Sequence, residues 1–213
     1  HGTERHGKII LLCWSATFGA AKEHDKLLAE PRALADAAGS GSWVPHDRAT
    51  LGVLFYRGSE LLKVGDADSA ARARTLLRIA AQGYRATGMM DLVPVALGLW
   101  AEGERQAGDP TRAREVAREA AALLDEGSPS LLNEAPVFLA LHDACVALGE
   151  AAEAKEAIAR GMPRLVTRVE GLRETPYVSA FLHELAPNAG LLRAAELYGL
   201  VPPALEGALT TSR

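Results

Sequence analysis

VALGLWAEGERQAGDPTRAREVAREAAALL, residues 95–124, reads as two helices and the corner between them. Val95, Leu97, Leu99, Trp100 and Ala101 form an apolar-periodic first helix. Gly108 supplies the left-handed or close-approach position that ends it. Asp109 caps the second helix, and Pro110 takes the first helical position, where its missing N–H is not needed. The second helix carries Ala113, Val116, Ala117, Ala120, Leu123 and Leu124, whose small members let it pack close to the first.

The same punctuation recurs. Gly65-Asp66, Gly108-Asp109 and Gly149-Glu150 stand 43 and 41 residues apart, each after an apolar-periodic helix and before an Ala/Arg/Glu-rich one. A unit of roughly forty residues repeating as helix, Gly-acid turn, helix implies an all-α array sharing one continuous core. Composition agrees: 48% of the 213 residues are hydrophobic, 23% charged and only 5% aromatic, and strong helix formers dominate. Strand signals are nearly absent. Only two Asn occur, Asn133 and Asn188, and no Asn-Gly or Asp-Gly pair is present.

Placed on this register, the third unit puts Leu97, Trp100, Ala101 and Glu104 in the first helix, then Ala113, Ala117 and Ala120 in the second. The unit anchored on Gly65 gives Leu54, Arg57, Gly58 and Leu61, then Ala70, Arg74 and Leu77. The unit anchored on Gly149 gives Phe138, Leu141, His142 and Cys145, then Ala154, Ile158 and Gly161. These spacings resemble the tetratricopeptide repeat (TPR), with Glu104 departing from the aromatic of that pattern. A step back of about 42 residues from Gly65 reaches the polar break at Glu23-His24, which implies a first unit without the glycine and with Pro31 inside its second helix.

The expected architecture is therefore a right-handed α-α superhelix, a TPR-like solenoid of four helical hairpins at about 6–38, 46–88, 90–126 and 130–173, plus a short closing helix pair at 175–199. A period near 42 against the standard 34 or so implies helices of about 17 to 22 residues, as in TPR-like arrays of large bacterial signalling proteins. Gly39-Ser40-Gly41-Ser42 with Pro45 links units one and two, and Gly127-Ser128-Pro129 links three and four. The last helix of unit four bends after Pro163 and continues to about Arg173. Residues 201–213, with Pro202-Pro203, are expected to be a disordered tail.

The stretch from Ser179-Ala180-Phe181-Leu182 through Pro187-Asn188 to Ala195 is similar to the ends of TPR regions that follow serine/threonine kinase or AAA-type ATPase domains in bacterial regulators. That resemblance implies a C-terminal docking or sensor region, with the chain's own upstream kinase or ATPase domain as one potential partner. The chain itself holds no phosphate loop with Lys-Ser/Thr, no His-Arg-Asp and no Asp-Phe-Gly. It opens on His1-Gly2 rather than Met, which reads as a fragment of something longer.

With 23 Lys and Arg against 27 Asp and Glu, the net charge of −4 provides no positive field for nucleic acid or an anionic membrane. No apolar run reaches the length of a membrane span; the longest is Ile9 to Trp14. Cys13 and Cys145 lie far apart within apolar helical patterns and read as two buried thiols of a reducing, cytoplasmic protein.

No constellation demands chemistry, and no enzyme, cofactor or metal is expected. His142 and Cys145 stand one turn apart, but tetrahedral zinc needs four ligands and no second pair stands at similar spacing. As a Cys-His nucleophile pair they have no orienting partner, because Asp143 is expected on a different face. His24-Asp25, His46-Asp47 and His183-Glu184 join imidazole to carboxylate between adjacent residues, which diverge by about 100 degrees on a helix, so capping is the better account of them. Arg72, Arg74, Arg78, Arg112, Arg114 and Arg118, interleaved with Glu115 and Glu119, read as a solvated outer face laced by salt bridges.

Function is expected on the concave face, at first-helix positions that the core leaves free: Phe55, Ser59, Lys63, Glu102, Arg105, Leu139 and Asp143. Mixed charge with one aromatic suits a protein or peptide partner. The other reading is a small ligand seated in the same groove, as in the longer repeats of some transcriptional activators.

Overall fold

The computed structural model describes residues 48–127, 130 and 132–205. The first unit, its linker, Cys13, His24-Asp25 and His46-Asp47 lie outside the described residues. Those described are all-helical: α1 Arg48–Val64, α2 Ala67–Ala86, α3 Val93–Gln106, α4 Pro110–Asp125, α5 Ala135–Leu148, α6 Ala151–Leu172, α7 Val178–His183 and α8 Ala186–Tyr198.

The corners follow the local chemistry. Gly65, Gly108 and Gly149 adopt φ of +78°, +90° and +77°. At the α3–α4 corner the Asp109 N–H donates to the Glu104 carbonyl at 2.9 Å, and Gly108 N–H to that of Arg105 at 3.0 Å. This pair of hydrogen bonds closes the helix end and requires the left-handed residue at Gly108. Asp109 then accepts from the Arg112 N–H at 2.9 Å, and Pro110 opens α4. Asp66 caps α2 in the same way, accepting from the Ser69 N–H at 2.8 Å. The Ser69 hydroxyl donates to the same carboxylate at 2.8 Å, and these two hydrogen bonds hold the Asp66 carboxyl below its ordinary range. Glu150 stands at the third cap position without a side-chain capping bond.

Consecutive helices pack on one another from α1 to α6, and α3 also touches both α1 and α5. First helices α1, α3 and α5 thus form one layer and second helices α2, α4 and α6 the other. The core between them is one cluster, including Leu54, Leu77, Leu97, Leu124, Phe138, Leu141 and Ile158. Each such fully buried side chain stabilises the fold by roughly 1.5–3 kcal/mol relative to exposure.

Helices approach closely, within and between the layers, where a small residue stands at the contact. A Cβ added at Gly98 would lie 2.8 Å from Val137 Cα on α5, and one added at Gly103 3.1 Å from Arg74 Cα on α2. Ala113, Ala117 and Ala120 are fully buried along α4.

Polar links then set the array in place. Arg85 pairs with Glu119, Arg114 with Glu150 and Arg118 with Glu153, joining successive second helices. Arg112 pairs within α4 with Glu115 at 2.8 Å. On α6, Arg164 donates to the Leu124 carbonyl at 2.7 Å, and Arg168 to those of Ser130 at 2.7 Å and Leu132 at 3.0 Å. These side chains bind the end of α4 at Leu124 and the backbone at Ser130 and Leu132 ahead of α5.

Two expectations need correction, the helix lengths and the start of the tail, and two others gain detail. Helices α3, α4 and α5 run 14, 16 and 14 residues, shorter than the long repeat implied, because the connections 87–92 and 126–134 take up part of the period. Glu104 does not merely replace an aromatic. It is buried, accepting from Trp100 Nε1 at 2.7 Å and from Arg74 at 3.4 Å, so the indole satisfies and the arginine charge-compensates a core carboxylate.

The closing pair does not repeat the hairpin order. Six-residue α7 buries only Leu182, whereas α8 buries Leu191, Leu192, Ala194 and Ala195 and packs on α5 and α6. Asn188, fully buried, accepts from Asn133 and donates to the Phe181 carbonyl at 2.7 Å, so the two asparagines lock this end together. Finally, the tail does not begin at Val201: Leu205 is buried in the core cluster, and only residues beyond it lie outside the described ones. Apolar burial holds this short turn where the paired prolines suggest a free end.

Gly98→Ala should destabilise by about 1–3 kcal/mol in a denaturant titration, since α3 or α5 must move. Gly171→Ala, where nothing lies within 4 Å of the added methyl, should cost nothing. Equal stability of the two variants would show that the α3–α5 approach is not tight.

Candidate functional site

The first-helix layer leaves a groove. Facing α2, helix α1 buries Leu51, Leu54 and Leu61, so Ser59, Leu62 and Lys63 emerge on another face at i, i+3 and i+4. The same periodicity brings Leu99 and Glu102 out of α3, and Pro136, Leu139, Ala140 and Asp143 out of α5. The α7–α8 joint, Glu184-Leu185-Ala186-Pro187, completes a groove of about 590 Å³. Its floor is apolar, and its charged groups are Lys63, Glu102, Asp143 and Glu184.

Five of the seven residues expected from sequence, Ser59, Lys63, Glu102, Leu139 and Asp143, share this groove. Phe55 does not. It turns toward α2 and packs on Tyr84 with ring centroids 6.2 Å apart, because the apolar ring gains more from the core edge than from water. Arg105 is also off the wall. Its guanidinium forks onto Glu102 at 2.8 and 2.7 Å, and that hydrogen-bonded pair raises the arginine's pKa. Gln106 donates to the same carboxylate at 2.7 Å.

Sequence reasoning passed over Leu62, Leu99, Pro136 and Ala140, although each stands three or four residues from a groove residue on its own helix. The α7–α8 joint had no such signal, since its position depends on α8 docking across α5 and α6.

His142 and Asp143 depart from expectation. The neighbouring side chains curl together, with His142 Nδ1 2.7 Å from Asp143 Oδ1, and His142 Nε2 lies 3.2 Å from the Tyr198 hydroxyl on α8. Adjacent residues can meet in this way because Asp143 is short and half-exposed and its carboxylate bends back along the helix. The chain Asp143–His142–Tyr198 therefore ties the groove wall to α8.

Cys145 takes the opposite side. It is fully buried, and its thiol interacts with Glu153 on α6. Burial first, then the Glu153 charge, pushes it up to about 11. Glu153 itself is held below its ordinary range by the hydrogen bond from Arg118. The thiol and the imidazole thus serve separate contacts and form no nucleophile pair.

Among the described residues, no group of three or more His, Cys, Asp or Glu side chains converges as metal ligands would. No described helix is long and apolar enough to cross a membrane. Compared with protein-family models, curated proteins and solved structures, the chain has no match.

Cys145 should react slowly with a disulfide reagent at pH 8 in a Cys13→Ser background, and quickly once guanidinium unfolds the chain. Because its folded pKa is raised, its contribution to stability is present below the unfolded value near 9 and is lost as pH climbs toward about 11. Rapid reaction of the native protein would place the thiol at the surface.

Proposed function

We propose that the chain is a TPR-like α-superhelix acting as a non-catalytic scaffold, a docking module of a cytoplasmic bacterial signalling or regulatory protein that binds a partner segment in its groove. The observation that carries this reading is the continuity of the groove. One apolar floor runs over α1, α3, α5 and the α7–α8 joint, with polar and charged groups along it.

An extended or helical peptide uses such a surface well: apolar anchors fill the floor, and rim charges set register. Helical hairpins joined by short Gly-acid corners favour the superhelical reading of the array, and the closing stretch favours the regulator context.

A second reading, a small-ligand sensor that controls a linked effector domain, draws on the groove volume. A space of about 590 Å³ lies within the range of small-molecule sites. In that case a metabolite library should contain a compound that raises the melting temperature, whereas a peptide scaffold shows none.

Random peptides displayed on phage and selected on the full chain should enrich apolar segments. The pair swap Glu102→Arg with Arg105→Glu keeps the intrahelical ion pair while reversing the charge on the groove wall. The swap should weaken capture of those segments with an unchanged melting temperature. Undiminished capture by the swapped chain would move the binding surface away from α3.

A further inference from the structure

The order of the helices gives the groove an electrical direction. Contacts run from α1 to α3, from α3 to α5 and from α5 to α8, so the walls follow one another in that sequence. At the α1 end stands Lys63, exposed on the last turn and without an ion-pair partner among the described residues. In the middle, Glu102 is neutralised by the fork of Arg105. At the far end stand two carboxylates. Asp143 takes its hydrogen bond from His142 and lies near enough to Arg105 for its charge to act on that guanidinium, whereas Glu184 is exposed with no ion-pair partner among the described residues.

The N-terminal end of α8 beside Glu184 carries a partial positive charge equivalent to about half an elementary charge, which reduces but does not cancel two carboxylates. Among the described residues no ion pair spans the groove, although Lys63, Asp143 and Glu184 all line it. The fold therefore holds opposite charges apart on either side of an apolar floor.

Resting on the reading of this groove as a docking site, we propose that its occupant is a dipolar amphipathic polypeptide segment, apolar along one face, acidic where it meets Lys63 and basic where it meets Asp143 and Glu184. Charge complementarity of this kind sets direction and discriminates between partners more than it adds affinity. The free lysine and the two carboxylates have the separation of sign that a single-sign partner cannot satisfy. A doubly acidic segment meets two carboxylates at one end, and a doubly basic one meets the lysine at the other.

The test uses the full chain and four synthetic helical peptides of about 16 residues with one shared Leu/Ala face. One carries Glu at one end and Lys at the other; the others carry acids at both ends, bases at both ends, or Gln throughout. Fluorescence anisotropy at low salt should rank the dipolar peptide first, tighter than the Gln peptide by about threefold to tenfold. The advantage should vanish near 1 M salt, where screening extends to about 3 Å.

Lys63→Glu should transfer the preference to the doubly basic peptide. Equal affinity for all four would overturn the polarity while leaving the groove as a docking site. Preference of the native chain for a single-sign peptide would overturn it as well. Failure of every peptide to bind would remove the docking reading itself, and the polarity with it.

Discussion

Close approach of helix backbones is the constraint on which everything else rests. At Gly98 the α3 backbone comes so near Val137 on α5 that a single methyl would strike main chain, and at Gly103 it comes as near to Arg74 on α2. Buried Ala113, Ala117 and Ala120 allow the same of α4. Helices that meet through small residues spend little of their circumference on each other. Larger, half-buried residues such as Leu62, Leu99 and Leu139 then keep one side open to the groove and together make its apolar floor. The groove is a by-product of the packing, which explains why no sequence motif marks it.

Tight layers still need fixed ends and a fixed register, and polar groups provide both. Trp100, Arg74 and Glu104 join α2 to α3 through a buried carboxylate whose removal would leave donors unsatisfied. Asn133 and Asn188 join the α4–α5 connection to the start of α8. The Arg–Glu pairs between second helices are exposed, and each contributes little alone. Their arrangement from α2 through α4 to α6 instead restricts how the layers can slide. The His142 link to Tyr198 does the same for α8, and it holds the wall on which Asp143 sits.

Local rules made much of this legible. The all-α class, the left-handed glycines at the three corners and the capping by Asp66 and Asp109 all follow from residues within one turn of each other. Five groove residues were legible because helical periodicity sorts buried from free positions. What was not legible depends on tertiary context. Phe55 left the groove for the ring of Tyr84. Asp143 turned back onto its neighbour. Buried Glu104 found two donors on separate helices, and the α7–α8 joint reached the groove because α8 buries more apolar surface than α7 can. The shortened helices show the same limit, since the repeat period constrains the sum of helix and loop without dividing it.

On the proposed docking reading, the first-helix layer, and not the charged outer layer, is the surface that meets a partner segment. Methyl-resolved NMR of the full chain, titrated with an amphipathic helical peptide, measures this directly. The expected result is a set of shifts confined to Leu62, Leu99, Leu139, Ala140 and Leu185. Shifts concentrated on α4 and α6, at methyls such as Leu123 and Val166, would contradict it.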